Sequence, residues 1–186
     1  MRRPCRRSTP LTTLSDMTTL VLTVVGTDRA GLVAAVADVV AAHGGNWERS
    51  RLAELSGTFA GVIEVSVAPA GADALRAELD GLDGLIAIAV PAPGSGAEPA
   101  AAQVFAFAVL GNDHPGIVKE VTSVLSGRGV SIERMTTTTR DAAMAGGRLF
   151  EAWISASVPA SVDVAELAEE LERLATEIQV DVTLGE

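Results

Sequence analysis

The chain contains an internal repeat, which constrains its fold more than any other feature of the sequence. When the 186 residues are shifted by 85 positions, the segment G-T-D-R-A-G-L-V (26–33) falls on G-N-D-H-P-G-I-V (111–118). After a longer loop in the second copy the offset becomes 91, and Phe59 then falls on Phe150. An ordered series of matches with one insertion indicates two copies of one structural unit.

A segment of small residues separates the copies. Residues 91–102 include three prolines and two glycines but no large apolar side chain, a composition typical of a linker. The chain is therefore predicted to form a first domain over 17–90 and a second over 103–186. Residues 1–16, with four arginines and no long apolar run, are expected to be a disordered basic tail, and Met17 is a candidate for the natural start.

Both copies show the same order of secondary-structure signals. Short β-branched runs indicate strands, and Ser56-Gly57 between two of them indicates a hairpin turn. A first helix that ends at Gly44-Gly45 is predicted from apolar residues at helical spacing. These residues are Leu32, Val33, Val36, Val39 and Val40. The order βαββαβ with right-handed crossovers predicts an α+β protein of two ferredoxin-like domains, each a four-stranded antiparallel sheet with two helices on one face.

Such a domain leaves one face of its sheet bare. Because about 80 residues bury only a limited core, we expect the two copies to pack about an internal pseudo-twofold axis, and the protein to form homo-oligomers. Trp47 and Trp153 fall in predicted strands and are expected to be core or interface residues.

The loop from the first strand to the first helix carries the most specific motif. Asp28 and Gly31 of the first copy recur as Asp113 and Gly116 at the same spacing. Glycine lacks a Cβ, so helix N–H groups beside it can approach a ligand closely, and free N–H groups at a helix N-terminus favour a carboxylate. A neighbouring aspartate suits an ammonium group. The motif therefore predicts a site for a free amino acid.

A purely structural interpretation of the same loop stays open. Thr27 or Asp28 can cap the helix that follows, and Asp113 can do the same in the second copy, because a short side-chain oxygen accepts hydrogen bonds from the first helical turn. The leading glycines, Gly26 and Gly111, are expected to turn the chain sharply out of the strand. The recurrence of aspartate and glycine at one spacing favours the ligand interpretation.

The loop resembles that of the ACT domain family, in which a D-x-x-G or D-x-P-G motif opens the first helix and contributes to amino-acid binding at domain interfaces. Residues 113–116 match that motif well, whereas Ala30 stands where proline is usual. Asn46 matches the family's entry into the second strand, where the second copy has Ser131. The resemblance covers nearly the whole chain after residue 17. It implies ligand-binding roles for Asp28, Ala30, Gly31, Leu32, Asn46, Asp113, His114, Pro115, Gly116, Ile117 and Ser131.

Within this family, the stretch 46–59 is similar to that of two-domain proteins that repress glycine cleavage genes. This resemblance implies an amino-acid-sensing regulator that binds a small amino acid, glycine or serine before others, and acts through a protein partner rather than on DNA. The alternative is a free-standing regulatory subunit of an enzyme of amino-acid metabolism.

Charge and composition argue against other functions. The net charge is −10, and since residues 1–16 contribute +3, the remainder carries −13 and repels nucleic acid. The few aromatic residues also argue against an RNA-binding sheet. No nucleophile–base pair is evident, which argues against an enzyme. An acylphosphatase-like site would need an arginine in the first loop to hold a phosphate, and the second copy has His114 at the position of Arg29.

Metal binding and membrane insertion are not expected either. His43, His114 and Cys5 form no cluster with ligand spacing, and the C-x-x-C of a metal chaperone is missing. We therefore predict no catalytic residue, metal or cofactor. A single cysteine and apolar runs too short to span a bilayer predict a cytoplasmic protein.

Overall fold

The computed structural model describes residues 17–92, 102–142 and 147–185, which form two compact units on either side of the gap after residue 92. The predicted tail, with Cys5, lies outside the described residues. So do most of the predicted linker and the centre of the longer loop in the second copy. The last strand of the first unit ends at Pro91, and the first strand of the second unit begins at Ala102.

The first unit has the predicted βαββαβ order. Its strands are β1 (Thr18–Thr27), β2 (Asn46–Leu55), β3 (Thr58–Val67) and β4 (Leu85–Pro91), and its helices are α1 (Leu32–Ala42) and α2 (Ala72–Asp80). A short 3-10 turn precedes α2. The strands form one antiparallel sheet in the order β2-β3-β1-β4.

The second unit repeats this architecture. Its elements are β5 (Ala102–Asn112), α3 (Ile117–Gly127), β6 (Ser131–Asp141), β7 (Arg148–Pro159), α4 (Val164–Ile178) and β8 (Val180–Gly185). The antiparallel sheet has the corresponding order β6-β7-β5-β8. The predicted α+β fold of two ferredoxin-like units is thus confirmed.

The helices of each unit cover one face of its sheet. Leu20, Leu22 and Val24 alternate along β1 and are fully buried, because successive side chains of a strand point to opposite faces. Leu167 and Leu171 of α4 are likewise buried in the second unit. Burial of one such side chain stabilises the fold by about 1.5–3 kcal/mol.

The other face of each sheet carries exposed apolar side chains. Ile86 and Ile88 point outward in the first unit, and Val104 and Trp153 do so in the second. Trp47, in contrast, packs partly against the first core. The predicted packing of the two copies about a pseudo-twofold axis stays a prediction.

The turns follow from residues that accept left-handed backbone. Ser56 and Gly57 have φ values of 52° and 77°, as the predicted two-residue hairpin requires. Gly44, with φ 65°, ends α1, and the Gly45 N–H donates to the Val40 carbonyl oxygen at 2.9 Å. Both predicted turn positions are confirmed.

The leading glycine of each motif does not turn the chain, so that prediction is wrong. Gly26 and Gly111 are still paired within β1 and β5. A Cβ on Gly26 would collide with the Gly84 carbonyl oxygen, and one on Gly111 would lie 2.7 Å from the Cα of Val180. Glycine is therefore required because the segment that leads into the last strand passes at backbone distance.

Replacement of either leading glycine should destabilise its unit. We expect Gly26→Ala and Gly111→Ala each to lower the free energy of unfolding by about 1–3 kcal/mol, since the colliding atoms include backbone. Thermal unfolding measures the effect. Gly127→Ala is the control, because a Cβ there meets no atom within 4 Å and alanine favours a helix. Equal melting temperatures for Gly111→Ala and the control would contradict this account.

Candidate functional site

Each motif loop ends in a left-handed glycine from which a helix begins. Gly31 (φ 91°) is the N-cap residue of α1, and Gly116 (φ 109°) is that of α3. Neither helix has a side-chain cap, so the predicted capping by Thr27, Asp28 or Asp113 is wrong. The reason is position: each helix begins at the glycine, three residues after the aspartate.

The starts of α1 and α3 therefore present free backbone donors. The first N–H groups of a helix have no partner within the helix. In α3 the Glu120 N–H is the one that bonds back to the Gly116 carbonyl oxygen, at 3.0 Å, and in α1 the Ala35 N–H does so to Gly31, at 2.9 Å. The start of α4, by comparison, is capped by Asp163, whose Oδ1 accepts from the Ala165 N–H at 2.8 Å.

The space beside the two glycines is open. A Cβ on Gly31 would meet no atom within 4 Å, and one on Gly116 would meet only the Glu120 Oε1, at 3.3 Å. Glycine is favoured at both positions by the positive φ and not by a lack of room for a Cβ. The empty space is a separate property, and it lets another molecule approach the helix N-terminus.

The aspartates are held in place through their backbone. The Asp28 N–H donates to the Gly57 carbonyl oxygen and the Asp113 N–H donates to that of Arg148, both at 2.8 Å. Each loop is thereby fastened to the neighbouring hairpin. Asp113 Oδ2 also lies 3.9 Å from Arg148 Nε, and within the described part of the chain the Asp28 carboxylate has no ion-pair partner.

A pocket of about 510 Å³ opens beside the start of α3. Its lining consists of Asp113, His114, Gly116, Ile117, Val118, Lys119, Thr139 and Phe150. Arg148 donates a short hydrogen bond to the Thr139 hydroxyl and lies next to Asp113. The second loop thus combines free N–H groups with two basic side chains, Lys119 and Arg148, and two carboxylates, Asp113 and Glu120.

Several residues of this pocket were not predicted. Val118 is 42% exposed, and its counterpart Val33, one of the apolar residues at helical spacing in α1, is 43% exposed. The signal available in the repeat was a valine two residues after the motif glycine in both copies. Lys119, Thr139 and Arg148 have no comparable signal in the first copy.

The remaining loop residues differ in what they can contact. Leu32 and Ile117 are buried core residues, so only their backbone N–H groups can reach a ligand. Ala30 and Pro115 are exposed in the loops.

Arg29 and His114 occupy the same position of the repeat, and each reaches across its unit. The Arg29 guanidinium donates to the Asp83 carbonyl oxygen at 2.7 Å. His114 Nε2 lies 2.8 Å from the Ile178 carbonyl oxygen, and its Nδ1 lies 3.2 Å from that of Pro115. The hydrogen bond to Ile178 and then that to Pro115 raise the pKa of His114 above its ordinary value.

Asn46 and Ser131 lie at the far end of each sheet from the loop of their own unit. Asn46 pairs with Ser66, which faces Thr19 near the start of β1, whereas the loop follows Thr27 at its end. Eight residues of strand correspond to about 26 Å. Ser131 is placed in the same way in the second sheet. Neither residue can therefore share a small ligand with the loop of its own unit.

Asn46 belongs instead to a polar cluster at a β-bulge. Its side-chain amide donates to Glu48 at 3.0 Å, and Glu48 also accepts a hydrogen bond from the Ser66 hydroxyl. These bonds, first that from Ser66 and then that from Asn46, hold the pKa of Glu48 below its ordinary value. The bulge between Trp47 and Arg49 recurs in the second unit between residues 132 and 134.

Within residues 17–92, 102–142 and 147–185, no three His, Cys, Asp or Glu side chains are grouped to hold a metal ion. No helix in this part of the chain is long and apolar enough to span a membrane.

Two ACT domain profiles match the chain, one over residues 18–84 and the other over residues 107–176. The crystal structure of an unknown protein from Galdieria sulphuraria is 30% identical, with a TM-score of 0.82, and the match covers 90% of this chain and 97% of that one. A second crystal structure, of a protein provisionally named a glycine cleavage system transcriptional repressor, is 24% identical with a TM-score of 0.68 and covers 91% and 96%. No curated protein matches the sequence.

Each profile falls on one βαββαβ unit and includes its motif loop, so the predicted family resemblance is confirmed. ACT domains indicate a regulatory role connected with the sensing of amino acids. The chain belongs to the ACT domain family and contains two ACT domains in tandem.

Proposed function

We propose that the protein binds a small amino acid at its motif loops and regulates another protein in response. One observation carries this proposal, and it occurs in both units. A helix begins at a left-handed glycine, has no side-chain cap and follows an aspartate by three residues. A free amino acid has one carboxylate for the helix N–H groups and one ammonium group for the aspartate.

The start of α3 supplies the elements that hold a carboxylate. Its free N–H groups and the positive end of the helix dipole favour an anion. Lys119 lines the same pocket and Arg148 lies beside it, so two cationic side chains are available to a ligand carboxylate next to the acidic side chains of Asp113 and Glu120. Gly116 leaves the approach to these N–H groups open.

The aspartates supply the group that holds an ammonium ion. Asp113 lines the pocket, and its ion pair with Arg148, at 3.9 Å, is long. A long and partly exposed ion pair contributes little free energy, so a ligand ammonium can compete for the carboxylate. Asp28 offers a carboxylate at the corresponding position of the first loop.

Glycine or serine is the ligand that we propose before any other. The apolar side chains in the pocket lining are limited to Ile117, Val118 and Phe150, and the whole chain has six aromatic residues, Trp47 and Trp153 among them. A large side chain would find few partners there.

Asn46 and Ser131 stay predicted ligand contacts, although both lie at the far end of their sheets from the motif loops. Each lies about 26 Å from the loop of its own unit, so neither can contact a small ligand that is held at that loop.

The regulated partner is proposed to be a protein that controls genes of the glycine cleavage type. The similarity to the structure provisionally named a glycine cleavage system transcriptional repressor supports this role. The charge of −13 after residue 16 supports an action through a protein rather than through direct contact with DNA. The alternative partner is an enzyme of amino-acid metabolism.

Ligand binding should stabilise the folded chain. Among the standard amino acids, we expect glycine or serine to raise the melting temperature in a dose-dependent manner. Binding to the folded state alone adds about 2.7 kcal/mol at a ligand concentration about 100 times the dissociation constant. A thermal-shift screen at millimolar concentrations measures the effect. The sensing proposal fails if no amino acid moves the transition.

Substitution of Gly116 separates ligand binding from backbone strain. Gly116→Val should fill the cleft and remove the ligand effect of the second loop, and Asp113→Ala should weaken it. Gly129→Val is the matched control. Gly129 has φ 69°, and a Cβ added there would meet no atom within 4 Å, but this glycine lies beyond the other end of α3. The control should lower the melting temperature and keep the rise caused by the ligand. Loss of that rise in the control would remove the support from Gly116→Val.

Residues 17–186 should not bind duplex DNA at physiological salt. Their net charge opposes association with phosphate groups. An electrophoretic mobility-shift assay measures this, and the truncation removes the arginines of residues 1–16. Salt-sensitive retardation of DNA would contradict the prediction.

An affinity pull-down from the source cell separates the two proposed partners by whether a transcription factor or a metabolic enzyme is retained.

A further inference from the structure

The position after each motif aspartate holds a side chain that ties its loop to the end of the second helix. Arg29 donates to the Asp83 carbonyl oxygen, between α2 and β4. His114 contacts the carbonyl oxygen of Ile178, the last residue of α4. Two chemically different residues therefore perform the same mechanical task in the two copies.

The geometry around His114 favours one protonation state. Nε2 lies 2.8 Å from the Ile178 oxygen and Nδ1 lies 3.2 Å from the Pro115 oxygen. A carbonyl oxygen can only accept a hydrogen bond, so each ring nitrogen must donate. Only the imidazolium form carries a hydrogen on both nitrogens.

The surroundings favour this charged form. The Ile178 carbonyl lies at the negative end of the α4 dipole, and the carboxylates of Asp113 and Glu120 act on the ring from the loop and from α3. Lys119 and Arg148 are the basic groups at the same loop. The pKa of His114 is raised, first by the bond to Ile178 and then by that to Pro115.

We propose that His114 is the positioning residue of the second loop, and that it holds this loop in the ligand-binding shape only while protonated, so that the second loop responds to pH and the first does not. The proposal rests on the proposed function for its effect on ligand binding. The claim that protonated His114 holds the second loop applies to the ligand-free chain and does not depend on ligand binding.

Deprotonation of His114 removes one of its two hydrogen bonds to the carbonyl oxygens of Ile178 and Pro115. A neutral ring donates through one nitrogen and presents a lone pair at the other, which then faces a carbonyl oxygen. Asp113 and Gly116 flank His114 within the loop, so their positions change with it. A positive charge beside the ligand carboxylate also disappears. Binding at the second loop should therefore weaken as the pH rises through the pKa of His114.

The direction of the pH effect follows from linkage. A histidine whose pKa is raised in the folded state stabilises the loop below the pKa of the unfolded chain, near 6.5, and this contribution is lost as the pH rises through the higher folded value. Carboxylates, lysine and arginine keep their charge between about pH 5.5 and pH 8.5. The Arg29 tie therefore persists throughout this range.

The ligand-free chain provides the first test. Since the sequence has only two histidines, His43 and His114, NMR signals of the imidazole rings can be assigned with one variant each. We expect the amide signals of residues 112–114, of Gly116 and of Gln179 to shift with the same midpoint as the His114 ring. In His114→Arg the remaining amides of this set should lose this pH-dependent shift. The proposal would be overturned if the amide signals of the loop did not shift as His114 titrates.

The second test adds glycine and serine as probes, with amide signals of residues 30–33 and 116–119 reporting on the two loops. Affinity at the second loop should fall several-fold between about pH 5.5 and pH 8.5, with no fall at the first loop. His114→Arg should abolish the fall and retain binding, and Arg29→His should create a fall at the first loop. His43→Gln is the control and should leave every profile unchanged.

The outcomes separate the two proposals. If neither probe moves any loop signal, the proposed function fails, while the ligand-free titration still decides the role of His114. If a probe binds the second loop with the same affinity at every pH, the role of His114 fails and the proposed function stands. A pH dependence that persists in His114→Arg overturns the positioning role as well.

Discussion

The close approach of two backbone segments at the leading glycine of each copy is the constraint on which the rest of the unit depends. Gly26 and Gly111 lack a Cβ, so the segment before the last strand can cross them at backbone distance. That segment carries the carbonyl groups of Asp83 and Ile178. A larger residue at either glycine would move the end of the second helix away from the motif loop, out of reach of the side chains that bind it.

Each motif loop is consequently held at three places. It continues from a paired strand, its aspartate N–H bonds to the neighbouring hairpin, and Arg29 or His114 bonds to the segment after the second helix. A helix whose N-cap residue is glycine rather than serine, threonine or aspartate forgoes only about a few tenths of a kcal/mol of stabilisation. The three attachments fix the starts of α1 and α3 without such a cap, and the first-turn N–H groups stay accessible.

Local sequence signals predict much of this architecture. The hairpin at Ser56 and the helix end at Gly44 depend on a few neighbouring residues, and the βαββαβ order depends on periodicity. The start of α1 could not be predicted in this way, because the positive φ of Gly31 moves it beyond the reach of Asp28. Asn46 could not be placed relative to Asp28 either, since the strand order decides which strand ends meet. The exposed Val33 shows the same limit, because helical spacing does not reveal where a helix leaves the core.

The attachment of each loop to elements of its own unit has a consequence for a duplicated chain. The geometry of the two loops is set by separate hydrogen bonds, so a substitution such as the one that distinguishes Arg29 from His114 changes one loop and leaves the bonds of the other in place. Two copies built in this way can diverge one loop at a time.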